Sequence, residues 1–266
     1  MPETVDPTSS VLLVEDDRVN QRVAAAMLRH LGFHVDVVTD GAQAVAAAAS
    51  TPYRAILMDC QIPVLDGFEA TGEIRRAEGA SQRTPIVAVT ASDSASDRQR
   101  CLAAGMDDYV TKPVSLRSLT EVLARWAPDG STAAGDEPVG FSSPPVPLQP
   151  ALTLDPEVVG QLARLGESVG DDLMAQLAVV FLNDADARIA SLHEALDTED
   201  AAAVVQAAHS LRGASAHLGA LALTHLCGTM SSAGKTGDLS GGGGMLEAIE
   251  AELERVRSAL DALVPA

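Results

Sequence analysis

The chain has 266 residues, 18 basic and 37 acidic side chains, a formal charge of −19 and 47% hydrophobic residues. That much apolar material excludes wholesale disorder, and the acidity argues against direct nucleic-acid binding, which needs a basic face. The acidity is uneven: residues 1–126 hold 12 basic against 17 acidic groups, 127–150 hold three acids and no base, and 151–266 hold 6 against 17. With one Trp, two Tyr and four Phe, the cores must be largely aliphatic. No run approaches the roughly 18 apolar residues of a membrane helix. The first ten residues carry acids and prolines where a signal peptide would be basic and then apolar. Cys60, Cys101 and Cys227 form no CxxC pair, the pattern expected of reduced thiols in a cytoplasmic protein.

Short apolar runs at 11–15 (VLLVE), 35–39 (VDVVT), 55–59 (AILMD), 86–90 (IVAVT) and 108–112 (DYVTK) alternate with helical patterns near 18–31, 41–50, 67–78, 95–104 and 115–126. Five such units predict an α/β domain over 1–126, a doubly wound five-stranded parallel sheet covered on both faces. Residues 127–150 contain six prolines and three glycines and read as a linker. Its Pro144–Pro147 spacing fits a stiff spacer better than an SH3-type ligand. Residues 151–266 carry only helical periodicity, near 155–165, 173–196, 199–232 and 245–263, which predicts an all-α four-helix bundle. The SGGGG run at 240–244 reads as a loop entering the last helix.

In a doubly wound sheet, ligands bind beyond the C-terminal ends of the strands. Those ends are Glu15-Asp16-Asp17, Asp59, Thr90 and Lys112. Single acids at strand ends are ordinarily turn or capping residues; several converging carboxylates repel one another unless a cation sits among them. Mg²⁺ is the natural occupant of such an oxygen-rich site. Mg²⁺, a lysine, a hydroxyl and a carboxylate nucleophile are the parts that phosphoryl transfer to an aspartate requires.

The motifs VLLVEDD, MDCQIPVLDG, VTAS and DDYVTKP, in that order, make residues 10–126 resemble a response-regulator receiver domain of the flavodoxin-like fold. The resemblance implies that Asp59 accepts the phosphoryl group. It also implies that Asp17 binds Mg²⁺ directly and Asp16 chiefly through water, with Asp59 and the Gln61 carbonyl completing the ligands. Thr90 and Lys112 would bind phosphoryl oxygens, Tyr109 would be the switching aromatic, and Gln61 and Ser92 would tune phosphoryl lifetime. Ile62 and Leu65 replace the family's usual methionines but keep their apolar character, and Pro63 and Gly67 are expected to supply the turn that aims the loop.

Among six histidines, His209 is distinguished by its neighbours in AAHSLRGASAHLGA. At helical periodicity Val204, Ala208, Leu211, Ser215 and Leu218 form a core stripe, while Val205, His209, Arg212, Gly213 and Ala216 form the opposite stripe, expected to face solvent. The other five histidines read as surface or capping residues, and His209, His217 and His225, eight apart, do not form a metal pair. Gly213 is costly inside a helix, so clearance for a partner reaching the imidazole is its expected benefit. His209, Arg212 and Gly213, with LTHLCGTMSSAGKTGDL downstream, make 152–263 resemble a histidine-containing phosphotransfer (HPt) domain, in which Lys is commoner than Arg at the position of Arg212. Gly228 to Thr236 mimics a phosphate-binding loop but has five residues between its glycines instead of four, and no preceding strand.

Together these readings predict a cytoplasmic phosphorelay protein, not an enzyme with turnover, whose partners are a sensor histidine kinase and other receiver or HPt proteins; the oligomeric state stays open. The alternatives are the C-terminal receiver–HPt portion of a hybrid sensor kinase, which Met1 and the irregular start weigh against, and a phosphorylation-controlled binding module without relay output. An aspartyl phosphatase ordinarily has an acid two residues after the nucleophile, where this chain has Gln61.

Overall fold

A computed structural model describes residues 10–78, 83–90, 94–126, 153–170 and 172–263. The linker expected at 127–150 and Ser92 lie outside the described residues. The chain divides near residue 144 into two compact units.

In the first unit, β1 (Ser10–Val14), β2 (His34–Val38), β3 (Ala55–Asp59), β4 (Ile86–Thr90) and β5 (Asp108–Thr111) alternate with α1 (Arg18–His30), α2 (Gly41–Ser50), α3 (Gly67–Ala77), α4 (Ala95–Ala104) and α5 (Leu116–Trp126). The strands form one sheet in the order β2-β1-β3-β4-β5, every pairing parallel. β1, β3 and β4 are buried along their whole length, as their unbroken apolar runs require in a sheet covered on both faces. Leu12, Val14, Ile56, Met58, Ile86 and Ala88 belong to one core cluster, which Ile62 joins and Leu65 packs against. The two replacements for methionine therefore do the packing expected of them.

The register fixes the site. Val14 pairs with Met58 and Asp59 with Val89, so Glu15 emerges beside Asp59. The Cys60 N–H donates to the Val89 carbonyl at 3.1 Å and the Lys112 N–H to the Thr90 carbonyl at 2.7 Å. Gly67 is needed for a close approach and not for its backbone angles, because a Cβ there would collide with the Asp59 carbonyl oxygen. The left-handed residue of this loop is instead Val64 (φ 69), where the Leu65 N–H donates to the Pro63 carbonyl at 2.8 Å. A β-branched residue in that conformation is strained.

The second unit contains α6 (Pro156–Val169), α7 (Leu173–Asp197), α8 (Ala201–His217), α9 (Leu221–Thr236) and α10 (Gly242–Leu263). Contacts α7–α8, α8–α9, α9–α10 and α10–α7 close a four-helix bundle, with α6 packed on α7. Two sequence expectations change here. The stretch read as one helix over 199–232 is two, because Gly219 adopts φ +74 and its carbonyl accepts from Asp155 N–H at 3.0 Å. A left-handed glycine just past the last turn ends a helix. The loop read at 240–244 ends sooner, since Gly242–Gly244 open α10; a side chain at Gly242 would run into Leu196 of α7. Gly228–Thr236 lies inside α9, so it is no phosphate-binding loop. Among the described residues no helix is long and apolar enough to cross a membrane.

Candidate functional site

Asp59 ends β3 and is 3% exposed. Lys112 Nζ donates to Asp59 Oδ2 at 2.7 Å and pairs with Glu15 Oε2 at 2.7 Å. The Gln61 N–H donates to Asp59 Oδ1 at 3.0 Å. Burial pushes the Asp59 carboxyl up to about 7; Lys112 opposes the rise and Glu15 adds to it. Burial alone would lower Lys112, but the Glu15 and Asp59 carboxylates outweigh it and hold the ammonium above its usual range. Thr90, at the end of β4, is buried with them.

The acidic cluster differs by one residue from the expected one. Carboxylate oxygens of Glu15, Asp16 and Asp59 lie within 4.8 Å of one another, and Asp17 is not in the group. Asp17 instead immediately precedes α1, where its carbonyl accepts from Gln21 N–H at 2.9 Å. The correction follows from strand pairing, because Val14 opposite Met58 brings Glu15 alongside Asp59. Glu15 is the residue that sequence reading left out of the ligand set, although it stood first in the acidic run. One lysine faces three carboxylates, so the donor set carries excess negative charge and consists of oxygen atoms, which suits a hard divalent cation.

Tyr109, on β5, is half-buried, and the Arg98 guanidinium of α4 stands 5.5 Å from its ring centroid. Cys60 and Cys101 are both buried, with Sγ atoms 3.9 Å apart. Burial is the leading cause that raises both thiols above their ordinary range.

On α8 the core stripe is where periodicity placed it: Val204, Ala208, Leu211, Ser215 and Leu218 are all buried. Val205, His209, Arg212, Gly213 and Ala216 share the other face but are half-buried instead of solvent-facing. Part of the reason is that α8 has bundle neighbours on two sides, α7 and α9, which leave it a narrow outer strip. His217 is not a surface residue: it is 6% exposed, with its Nδ1 3.2 Å from the Gly213 carbonyl.

Comparison with known proteins matches two stretches of the chain to two families. The response regulator receiver domain model matches residues 11–124, and the Hpt domain model matches residues 176–259. Across 82% of its length the chain is 32% identical to the sensor histidine kinase GacS of Pseudomonas protegens, covering 23% of that protein. It is 29% identical over 82% of its length to the signal transduction histidine-protein kinase BarA of Escherichia coli, again covering 23% of the relative. The chain thus spans about a quarter of the length of these curated relatives. The receiver domain of sensor histidine kinase PA1611 from Pseudomonas aeruginosa, crystallised with a magnesium ion in its active-site cleft, is 52% identical over 45% of this chain and 98% of that one, with a TM-score of 0.42. With a five-stranded parallel sheet under the first match and a helical bundle under the second, the chain carries a response regulator receiver domain followed by an Hpt domain.

Proposed function

We propose that Asp59 accepts a phosphoryl group from a phosphohistidine and that His209 passes phosphoryl groups to or from a receiver aspartate. The observation that carries the first half is the desolvated Asp59 carboxylate, held by Lys112 and the Gln61 N–H beside two further acids. In the transfer, the phosphorus–nitrogen bond of the donor breaks and a phosphorus–oxygen bond forms to an Asp59 carboxylate oxygen. The donor imidazole leaves neutral after taking up a proton. Lys112 then exchanges part of its pairing with Asp59 for a phosphoryl oxygen, while Glu15 keeps it in place. The Thr90 hydroxyl offers a further hydrogen bond to the same group.

Mg²⁺ is the cofactor that fits the acidic cluster. Glu15, Asp16 and Asp59 would hold it, with the Gln61 carbonyl as a further ligand, and it would neutralise charge on the phosphoryl oxygens. The second half of the reading rests on His209 lying on the half-buried strip of α8 with the Arg212 cation one turn on. A charge-assisted bond from Arg212 would stabilise phosphohistidine. The partners on this reading are a sensor histidine kinase and other receiver or HPt proteins. The chemistry is stoichiometric group transfer in the cytoplasm, without catalytic turnover of a small substrate.

A second reading is favoured by one observation: the chain matches about a quarter of GacS and BarA, so the same pair of domains can serve as the receiver–HPt portion of a hybrid kinase. Incubation with a labelled, phosphorylated donor kinase and Mg²⁺ tests the relay chemistry common to both. Acid-labile and base-labile label should be lost separately in His209→Gln and Asp59→Asn. Absence of label from both residues with every donor would leave a binding module.

A further inference from the structure

Arg212 is the cation beside His209, yet among the described residues it makes no ion pair or hydrogen bond. Its stem lies against α9. A Cβ built on Gly228 would stand 3.6 Å from Arg212 Cδ, and no other atom comes within 4 Å of that point. The Cys227 thiol next to it is raised to about 12 by burial, and the nearby Arg212 charge opposes that rise. The 3.6 Å approach places the arginine stem over this turn of α9. The two helices pack closely along this stretch. At Gly234, two turns on, a Cβ would lie 2.8 Å from Val205 Cγ2 and 3.0 Å from the Ala201 carbonyl, so α8 and α9 are already in backbone contact there.

We propose that Gly228 is a positioning residue for the His209 site: its missing side chain forms the slot in which the Arg212 stem lies, which keeps the guanidinium on the imidazole's face of α8. A methyl group fits the slot with ordinary contact, whereas anything longer competes with the arginine for the same volume. The proposal rests on the reading of His209 as a phosphoryl carrier. It also explains why a helix-weakening glycine stands in the interior of α9.

The test uses the full chain, labelled from a phosphorylated donor, and follows the rate of His209 labelling and the half-life of the phosphohistidine. Losses should grow with side-chain size from Gly228→Ala through Gly228→Ser to Gly228→Leu, the last reaching about tenfold, the equivalent of one charge-assisted hydrogen bond. Arg212→Ala should cost the same, and R212A/G228L should be no worse than either change alone, because both remove one interaction. Circular dichroism and thermal melting check the fold; if Gly228→Leu unfolds, the Gly228→Ser protein decides by falling below Gly228→Ala. Equal rates across the size series, or losses that multiply in the double variant, overturn the positioning role. If the wild-type chain takes label only on Asp59, the reading of His209 itself fails and the Gly228 role falls with it.

Discussion

The two phosphoacceptor candidates are built in opposite ways. Asp59 is assembled from the ends of four strands and buried among charges, with Glu15, Asp16 and Lys112 arriving from remote parts of the chain. His209 and its cation come from a single helix, three residues apart, on a half-buried strip. The difference follows from what each residue needs. A carboxylate is a poor acceptor for an anion and needs opposing charge held in a desolvated pocket. An imidazole is neutral when it attacks and needs only access and one nearby cation. Energetically, the first site stores unfavourable electrostatics in the fold, as the raised Asp59 carboxyl records.

The largest expected effect separates the two cations. Lys112→Ala should slow labelling of Asp59 by about 100-fold, since it removes a buried, preorganised charge. Arg212→Ala should slow labelling of His209 by only about tenfold, because that cation is partly screened by solvent. Initial rates from one phosphorylated donor measure both. Equal losses would show that the two sites are electrostatically alike and break the comparison.

A stability measurement sharpens it. The Asp59 carboxyl titrates at about 7 in the folded chain against 3.8 for the free group. The native state therefore binds more protons than the unfolded state between those values, and stability falls as pH rises through that window. Asp59→Asn removes the penalty. In the absence of divalent ions it should be stabilising by on the order of 2 kcal/mol above pH 7 and nearly neutral at pH 4. His209→Gln should stay within about 0.5 kcal/mol of wild type, as exposed and half-exposed changes usually do. Urea unfolding at the two pH values checks each.

The smallest effect is confined to the receiver, which holds both tyrosines. The Tyr53 hydroxyl donates to Asp36 Oδ2 at 2.8 Å, and burial together with that acid pushes its pKa up to about 12 from 10.0. The raised value means the contribution is complete below pH 10 and disappears as pH rises through about 12. With the ring partly exposed, Tyr53→Phe should cost below about 1 kcal/mol at neutral pH. Ultraviolet titration should then lose the phenolate step near 12, while the helical domain, which has no tyrosine, adds no phenolate signal.

Much of this was legible along the chain. The alternation of apolar runs with helical patterns located all five strands and the helices between them, because hydrophobic period is a local property. Asp59, Thr90 and Lys112 followed from the rule that parallel strands end on one edge. The α8 core stripe followed from 3.6-residue periodicity. The break at Gly219 is also written locally, as a glycine two residues past His217 at a helix end. The burial of His217 is not written locally, because a helix flanked by two neighbours buries a wider arc than a single stripe indicates.

Other features depend on residues distant in sequence, and only the folded chain decides them. Glu15 and not Asp17 joins Asp16 and Asp59, because pairing Val14 with Met58 sets which acids meet. Gly67 is required by the Asp59 carbonyl, Gly242 faces the Leu196 side chain, and Gly228 gives room to Arg212. The sequence by itself therefore determined the class of each half, the five strands and the chemistry of the candidate phosphoacceptors, all of which rest on short-range periodicity and residue type. Tertiary structure decided ligand register, the burial of His209 and the placement of its cation, because those are distances between segments that no local pattern encodes.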